Sequence, residues 1–205
     1  MIEVLEAPAD PIVSLAEMKA HLRVDHTDDD TLIVAYTAAA ENRVDGPTSI
    51  TGRCFRVWRL RLNLPGFGVR MHLPFPPLVS VDAVRYLDNN GDEQEFAEAD
   101  HWRVIGERHA QGGLIALLDG AEWPSLLATA DPDLVRIDFT AGYVNLNSPD
   151  ASPLPKEIAQ AVKLMVGDWY DHRASSVIAA TVAPTPLGAE MLLAPFRTAG
   201  AYMAV

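Results

Sequence analysis

The sequence is poor in cysteine and in basic residues, and it has no long apolar run. Cys54 is its single cysteine among 205 residues, which excludes an internal disulfide and suits a reducing compartment such as a cytoplasm. Sixteen basic residues stand against 28 acidic ones, a net charge of −12. The chain therefore lacks the excess of basic residues that binds phosphate backbones tightly. No apolar run approaches the ~18 residues of a membrane span, and residues 1–10 do not resemble a signal peptide. These absences exclude tight nucleic-acid binding and a membrane partner, but not a protein through which DNA passes.

The composition is otherwise that of a folded protein with unevenly placed charge. Hydrophobic residues make up 49% and charged residues 21%, and the length suits one or two domains with a full core. Residues 1–50 carry ten acids against three bases, whereas residues 151–205 carry four of each. The acidity is therefore concentrated near the N-terminus, and the C-terminal quarter is neutral and rich in apolar residues.

Helical signals stand at both ends of the chain. Ser14-Leu15-Ala16-Glu17 is a capping box, which predicts a short helix ending near Val24. Three aspartates at 28–30 then precede an apolar stripe that predicts a second helix to about Val44. Pro155 stands at the first position of a third predicted helix, Lys156–Arg173.

Between these helices the apolar period changes from about 3.6 to 2, which is typical of half-buried strands. From Trp58 to Leu64 apolar and polar residues alternate strictly, and Asn90-Gly91 indicates a tight hairpin turn. Further strands are predicted at Val69–Leu73, Val79–Leu87, Glu93–Phe96, Trp102–Ile105, Leu114–Leu118 and Leu134–Phe139.

These elements predict an α+β fold: a helical bundle with an inserted antiparallel β subdomain and an extended C-terminal tail. The N-terminal helices of the bundle occupy residues 1–50 and the β subdomain residues 51–150. The long helix occupies residues 151–174, and a flexible tail with a short apolar segment occupies residues 175–205.

Groups that could carry chemistry are few. His21, Asp25 and His26 lie near the aspartates at 28–30 and could form a metal site of a small hydrolase, but their spacing matches no established ligand motif. A solvated helix–helix connection explains the same residues. No nucleophile or phosphate-loop motif occurs, so no catalytic residue, metal or cofactor is predicted.

The one basic cluster contains Arg56, Arg59 and Arg61. In so acidic a protein, these arginines are expected to meet carboxylates, and an acidic second copy of the chain is the nearest candidate. They are therefore predicted as a subunit contact.

The ordered motifs of the chain resemble the head–tail connector (adaptor) family of tailed phages and of phage-derived gene transfer agents. The similarity begins with Ser14–Val24 and the aspartates at 28–30, and it extends nearly to the end of the chain. The other matching segments are Ala39–Glu41, Thr51–Arg53, Leu73-Pro74, Pro77–Val81, Asp88–Gly91, Phe139–Tyr143, Leu154-Pro155 with Ile158 and Ala161, Asp168–Tyr170 with Arg173, and Leu192–Arg197.

This resemblance implies a non-enzymatic virion protein of the neck, between capsid and tail. Such connectors form a ring, typically a dodecamer, that joins the portal protein to stopper or tail-terminator proteins. DNA crosses the central channel without specific binding. The alternative within the same class is another neck component, such as a stopper or tail-completion protein.

Two sets of residues follow from the resemblance and from the charge and apolar patterns. The apolar end of the chain is expected to bind the portal, through Leu187, Met191, Leu192, Leu193, Phe196, Arg197 and Tyr202. Carboxylates near the N-terminus are expected to line the channel and repel DNA, namely Asp28, Asp29, Asp30, Glu41 and Asp45. The alternative for the apolar end is that it folds back on its own bundle.

Overall fold

The computed structural model describes residues 1–97, 101–106, 112–143, 154–172 and 186–198. They fall in two compact units, each assembled from two stretches of chain. The β unit comprises residues 1–8 and 53–153, and the helical unit comprises residues 9–52 and 154–205. Residues 1–8 therefore belong with the strands, whereas the sequence had placed all of residues 1–50 with the helices.

The strands of the β unit form two antiparallel sheets. In chain order they are β1 (Ile2–Glu6), β2 (Trp58–Leu64), β3 (Arg70–His72), β4 (Leu78–Leu87), β5 (Glu93–Glu95), β6 (Trp102–Ile105), β7 (Leu114–Leu117) and β8 (Val135–Ala141). The larger sheet has the order β1-β2-β8-β4-β5, and the smaller one has the order β3-β7-β6. The antiparallel β subdomain predicted from the alternating pattern is thus present, with one additional strand, β1.

Alternation along β2 decides which side chains enter the core. Leu60 lies opposite Phe139 of β8 and both are buried, whereas Arg59 and Arg61 lie on the other face of the sheet. Ile115 of the smaller sheet belongs to the same hydrophobic cluster as Leu60. One core therefore joins the apolar faces of the two sheets.

The predicted hairpin turn joins β4 to β5. The Asp88 carboxylate accepts hydrogen bonds from the backbone N–H groups of Asn90 (2.8 Å) and Asp92 (3.0 Å). These backbone donors stabilise the charged form and lower the pKa of Asp88 below its ordinary value. The turn is therefore fixed by an aspartate side chain as well as by the Asn90-Gly91 dipeptide.

The helical unit contains α1 (Leu15–Leu22), α2 (Asp30–Val44), α3 (Lys156–Asp171) and α4 (Leu187–Leu193), followed by a 3-10 turn at Ala194–Phe196. The capping box at the start of α1 is formed: the Glu17 N–H donates to Ser14 Oγ at 3.3 Å, and Ser14 N–H donates to Glu17 Oε2 at 3.2 Å. The Ser14 hydroxyl bond lowers the pKa of Glu17. Met18, Ile33 and Met165 are buried where α1, α2 and α3 pack together.

The C-terminal segment differs from the sequence prediction. An extended tail was expected, but residues 186–198 form α4 and the 3-10 turn, and α4 packs against α3. Ala189 and Leu193 are buried because they lie four residues apart on the helix face towards α3. For residues 186–198 the structure therefore agrees with the alternative prediction, in which this segment folds back on its own bundle. The rest of the predicted tail lies outside the described residues.

No helix in the described part of the chain is both long and apolar enough to span a bilayer.

Candidate interaction surfaces

Helix α4 is apolar on two faces, and only one of them is buried. Leu193 is fully buried, whereas Leu187 and Met191 are 69% and 70% exposed. Leu187 and Met191 are themselves four residues apart, so they form one outward stripe on the helix. The helix therefore uses its inner apolar face for its own unit and presents the outer one to solvent.

The residues that follow α4 are tied to the loop after α2. The Thr198 N–H donates to the Thr51 carbonyl at 2.9 Å, and its hydroxyl lies 3.3 Å from the carbonyls of Thr51 and Gly52. Arg197 lies 3.9 Å from the Glu190 carboxylate of α4. The Thr198 bonds hold the C-terminal end of the segment to the loop after α2, and the Arg197–Glu190 pair lies within the segment.

The predicted portal-binding residues therefore divide into groups. Leu193 is corrected from a partner-facing residue to a core residue, because its side chain has no exposed surface. Leu187 and Met191 are exposed, and Tyr202 lies outside the described residues. The half-buried members of the set are Leu192, Phe196 and Arg197.

The aspartates at the start of α2 differ in their surroundings. Asp28 is exposed. Asp29 accepts a hydrogen bond from the Tyr170 hydroxyl of α3 at 2.5 Å, and Asp30 forms an ion pair with Lys19 at 2.6 Å. Asp29 and Asp30 therefore connect the start of α2 to α3 and α1. Asp28 is the most exposed of the three aspartates.

Glu41 and Asp45 are corrected from channel-lining to buried residues, with exposures of 3% and 2%. Glu41 Oε1 accepts the backbone N–H groups of Ile12 (2.7 Å) and Val13 (3.1 Å). The carboxylate thereby fixes the segment that leads into α1. The available signal in the sequence was its position: Glu41 lies between Ala40 and Val44, two members of the apolar stripe that predicted the helix.

The residues considered for a metal site are not assembled into one. His21, Asp25 and His26 are exposed. Within the part of the chain that the structure describes, no group of three or more histidine, cysteine or acidic side chains is placed to hold a metal ion.

The arginines of β2 meet carboxylates of their own chain. Arg61 binds Asp138 of β8 through two nitrogens, Nε to Oδ1 at 2.6 Å and Nη2 to Oδ2 at 3.0 Å. Arg85 of β4 donates to the same Asp138 carboxylate at 2.6 Å.

Arg59 lies 3.5 Å from Glu6 and 3.8 Å from Asp82. The expected partners were acidic, and for Arg59 and Arg61 carboxylates of the same sheet are such partners. The assignment of these arginines to a subunit contact stays a prediction. Arg56, the third member, is half-buried.

The buried position of Asp138 opposes its ionisation, but the two arginines outweigh that effect. Burial alone would raise the pKa of this carboxyl, whereas the hydrogen bonds from Arg61 and Arg85 bring it below its ordinary value. The charged form of Asp138 is therefore the one that the sheet stabilises.

We expect Asp138→Asn to destabilise the β unit in a pH-dependent way. Breaking a buried pair costs 3–5 kcal/mol, and since the arginines are about a quarter exposed we expect about 2 kcal/mol at pH 7. A lowered folded pKa gives stability that is present above the unfolded value of about 4 and is lost as pH falls through the folded pKa. Urea denaturation of both proteins at pH 7 and pH 3 should therefore show a difference that shrinks in acid.

Glu93→Gln is the matched control, because Glu93 forms a more exposed pair with Arg136 at 2.6 Å. It should cost less than about 0.5 kcal/mol at either pH. Equal losses for the two variants at pH 7 would contradict the role assigned to Asp138.

Comparison with known proteins finds a similarity to one protein family and to components of one kind of particle. Residues 12–73 match the model of the phage gp6-like head-tail connector protein family. Among solved structures, the chain is similar to a component of the neck of an empty gene transfer agent (GTA) particle, computed with C6 symmetry. The two are 29% identical with a TM-score of 0.68, and the match covers 97% of this chain and 95% of the other.

Two further structures of the same kind match over the same lengths. One is the virion of a native gene transfer agent particle, at 28% identity and a TM-score of 0.66. The other is the neck of a native particle computed with C12 symmetry, at 28% identity and a TM-score of 0.65. No curated protein gave a significant match.

These matches test two expectations from the sequence. Connector and neck proteins are structural components of a particle, so the expectation of a structural protein rather than an enzyme is confirmed. The family match covers α1, α2, β2 and β3, and the structural matches extend the similarity to nearly the whole chain. The resemblance of this chain to the phage head–tail connector family, first seen in its ordered motifs, is thereby confirmed.

Proposed function

We propose that this chain is a head–tail connector (adaptor) of a virion neck, which forms a ring that joins the portal protein to the tail and surrounds the DNA channel. The observation that carries the proposal is the likeness to gene transfer agent neck components over 97% of the chain. Those necks were computed with sixfold and twelvefold symmetry, which supports a ring of copies, and a dodecamer in particular. The net charge of −12 is compatible with a protein that surrounds moving DNA but does not bind it tightly.

The portal contact is assigned to the outer stripe of α4. An exposed pair of large apolar side chains four residues apart is the pattern of a helix that docks in an apolar groove. Leu187 and Met191 provide this pattern, and Leu193 on the opposite face keeps the helix in place on α3. Binding would thus use an ordered helix, so little conformational entropy would be lost on docking.

The channel wall is assigned to the open carboxylates at the α1–α2 connection. Of the predicted carboxylates, Asp28 is exposed there, Asp29 and Asp30 are half-buried, and Glu41 and Asp45 are buried. Asp25, which the sequence prediction did not include, is exposed in the same connection. Like charge on the wall repels the phosphate backbone and lowers friction on moving DNA. A structure of the assembled ring with Asp25 and Asp28 on its outer surface would refute this part of the proposal.

The portal contact is tested by replacing the outer stripe without disturbing the core. Leu187→Ser combined with Met191→Ser should weaken binding to portal rings by at least about tenfold, because two apolar anchors are lost from one interface. The fold should be retained, since both side chains are already exposed. Binding is measured with purified portal rings, and electron micrographs show whether the chain forms a ring on them.

Val34→Ser is the matched control, because Val34 is an exposed apolar residue elsewhere in the helical unit, on α2. It should bind portal rings as the unchanged protein does. Normal portal binding by the double variant would reject α4 as the contact. Binding to tail-side proteins and not to portal would favour a stopper or tail-completion protein instead.

A further inference from the structure

The outer edge of β1 carries backbone groups whose direction can be assigned. The Met1 nitrogen donates to the Asn63 carbonyl at 2.7 Å, and the Asn63 N–H donates to the Met1 carbonyl at 2.8 Å. In an antiparallel pair such doubly bonded partners alternate with partners that point away from each other. With Ile2 opposite Leu62 and Val4 opposite Leu60, the N–H and C=O groups of Ile2 and Val4 point outwards. Within the described residues, β1 has a single neighbouring strand, β2.

The opposite edge of the same sheet is built differently. Strand β5 is three residues long, and all of its residues are exposed. Its two acids form ion pairs, Glu95 with Arg85 of the neighbouring β4 and Glu93 with Arg136 of β8. Short, charged edges of this kind discourage strand pairing. Strand β1 is five residues long and carries three apolar side chains beside its two glutamates, so it is the longer and less charged of the two edges.

The side chains of β1 specify what an added strand would need. Ile2 packs against the core cluster, and Val4, which lies on the same face, is 47% exposed and so leaves the rim of the core open. Glu3 lies on the other face opposite Arg61, whose guanidinium is already bound by Asp138. A neighbouring strand would thus meet apolar surface on one face and an acid on the other.

We propose that β1 is a docking site for an extended segment of another protein that carries the pattern apolar–basic–apolar. Such a strand would gain backbone hydrogen bonds from Ile2 and Val4 and would continue the sheet. Its two apolar side chains would cover Ile2 and Val4 on the core face, and its lysine or arginine would lie directly opposite Glu3.

Two modes of pairing with a second copy are opposed by charge. An antiparallel β1–β1 pair would bring Glu3 and Glu6 of both copies to one edge, and a β1–β5 pair would set them against Glu93 and Glu95. Like charges on directly opposed strands destabilise pairing. The acidic edge therefore favours a basic partner over another copy of this chain.

The test uses the full chain and a synthetic probe, an acetylated and amidated heptapeptide that alternates valine and lysine. Binding is followed by the NMR shifts of the backbone amides of Ile2, Glu3 and Val4. Val4→Pro removes an outward N–H but leaves the bonds to β2 intact, so it should weaken peptide binding by about tenfold. Val4→Thr keeps that N–H and should bind within about twofold of the unchanged chain.

A second variant tests the charge and leaves the backbone unchanged. Glu3→Lys should weaken the lysine peptide by about fivefold and should favour a peptide with glutamate in place of lysine. Equal binding by Val4→Pro and Val4→Thr, in chains shown to be folded by circular dichroism, would overturn the proposal. If Val4→Pro does not fold, unchanged peptide preference in Glu3→Lys would overturn it. Dimerisation through β1 with no peptide binding would replace the partner with a second copy.

Discussion

Gly142→Ala should unfold the β unit or come close to doing so. Gly142 follows β8 with a φ of +137°, and a Cβ added there would lie 2.2 Å from the Arg56 carbonyl oxygen and 2.7 Å from its carbon. Both atoms belong to the backbone, so no flexible side chain can move aside. We expect a loss of at least about 4 kcal/mol, a large part of the 5–15 kcal/mol that holds an ordinary domain together.

Gly120→Ala is the control that separates the clash from backbone strain. Gly120 also has a positive φ, +84°, but nothing lies within 4 Å of the added Cβ. Gly120→Ala should therefore lower the free energy of unfolding only by the cost of holding an alanine in the left-handed conformation, about 1–2 kcal/mol. Urea denaturation followed by tryptophan fluorescence measures both variants. Similar losses for the two would mean that the close approach to Arg56 is not what requires glycine at position 142.

The close approach at Gly142 gives a physical reason for one of the family-like motifs. The Gly142 N–H donates to the Pro77 carbonyl at 2.9 Å, and the Tyr143 N–H donates to the Phe55 carbonyl at 3.3 Å. The rings of Phe55 and Tyr143 are stacked, with centroids 5.8 Å apart. The residues after β8 thus lie directly beside those that precede β2 and β4. In the sequence, Phe139–Tyr143 could be matched as a motif, but its backbone requirement could not be seen.

Elements whose signal is local were predictable. The capping box at Ser14 marks the start of α1, and the strict alternation after Trp58 gives both the extent of β2 and the face that it buries. In each case the information lies within a few residues, because helix caps and strand faces depend on near neighbours.

Features that depend on remote partners were missed. Strand β1 is formed by pairing with residues about sixty positions away, and its five residues alone do not separate a strand from a loop. Asp138 is buried only because Arg61 and Arg85 reach it from two other strands, 77 and 53 residues away in the chain. Charged residues are ordinarily predicted to be exposed, so the sequence favoured a partner outside the chain.

The C-terminal segment shows a different kind of ambiguity. Leu187, Met191 and Leu193 are all large and apolar, and a pattern of this kind on a short helix does not say which side faces inwards. The packing of α4 on α3 resolves it, because Leu193 is buried and the other two are not. A set of residues assigned to one role from the sequence therefore divides into an anchor and a contact surface.

Leu193→Ala should loosen the whole C-terminal segment, whereas Met191→Ala should leave it in place. Leu193 is fully buried, and replacing a buried leucine by alanine costs about 3 kcal/mol through lost burial and the cavity left behind. Met191 is 70% exposed on the same helix, so its truncation should cost less than about 0.5 kcal/mol.

The way in which Leu193→Ala loses stability shows how α4 is attached to the helical unit. If α4 is an integral part of the helical core, the midpoint of thermal unfolding of the whole helical unit falls. If it is a separately docked element, hydrogen exchange rises first at the Thr198 N–H, which is bonded to the Thr51 carbonyl at 2.9 Å, while the α3 amides stay protected. Portal binding should fall in both variants under the proposed function, because one loses the contact and the other loses the ordered helix that presents it. Equal stability of the two variants would contradict the division of α4 into an inner anchor and an outer contact.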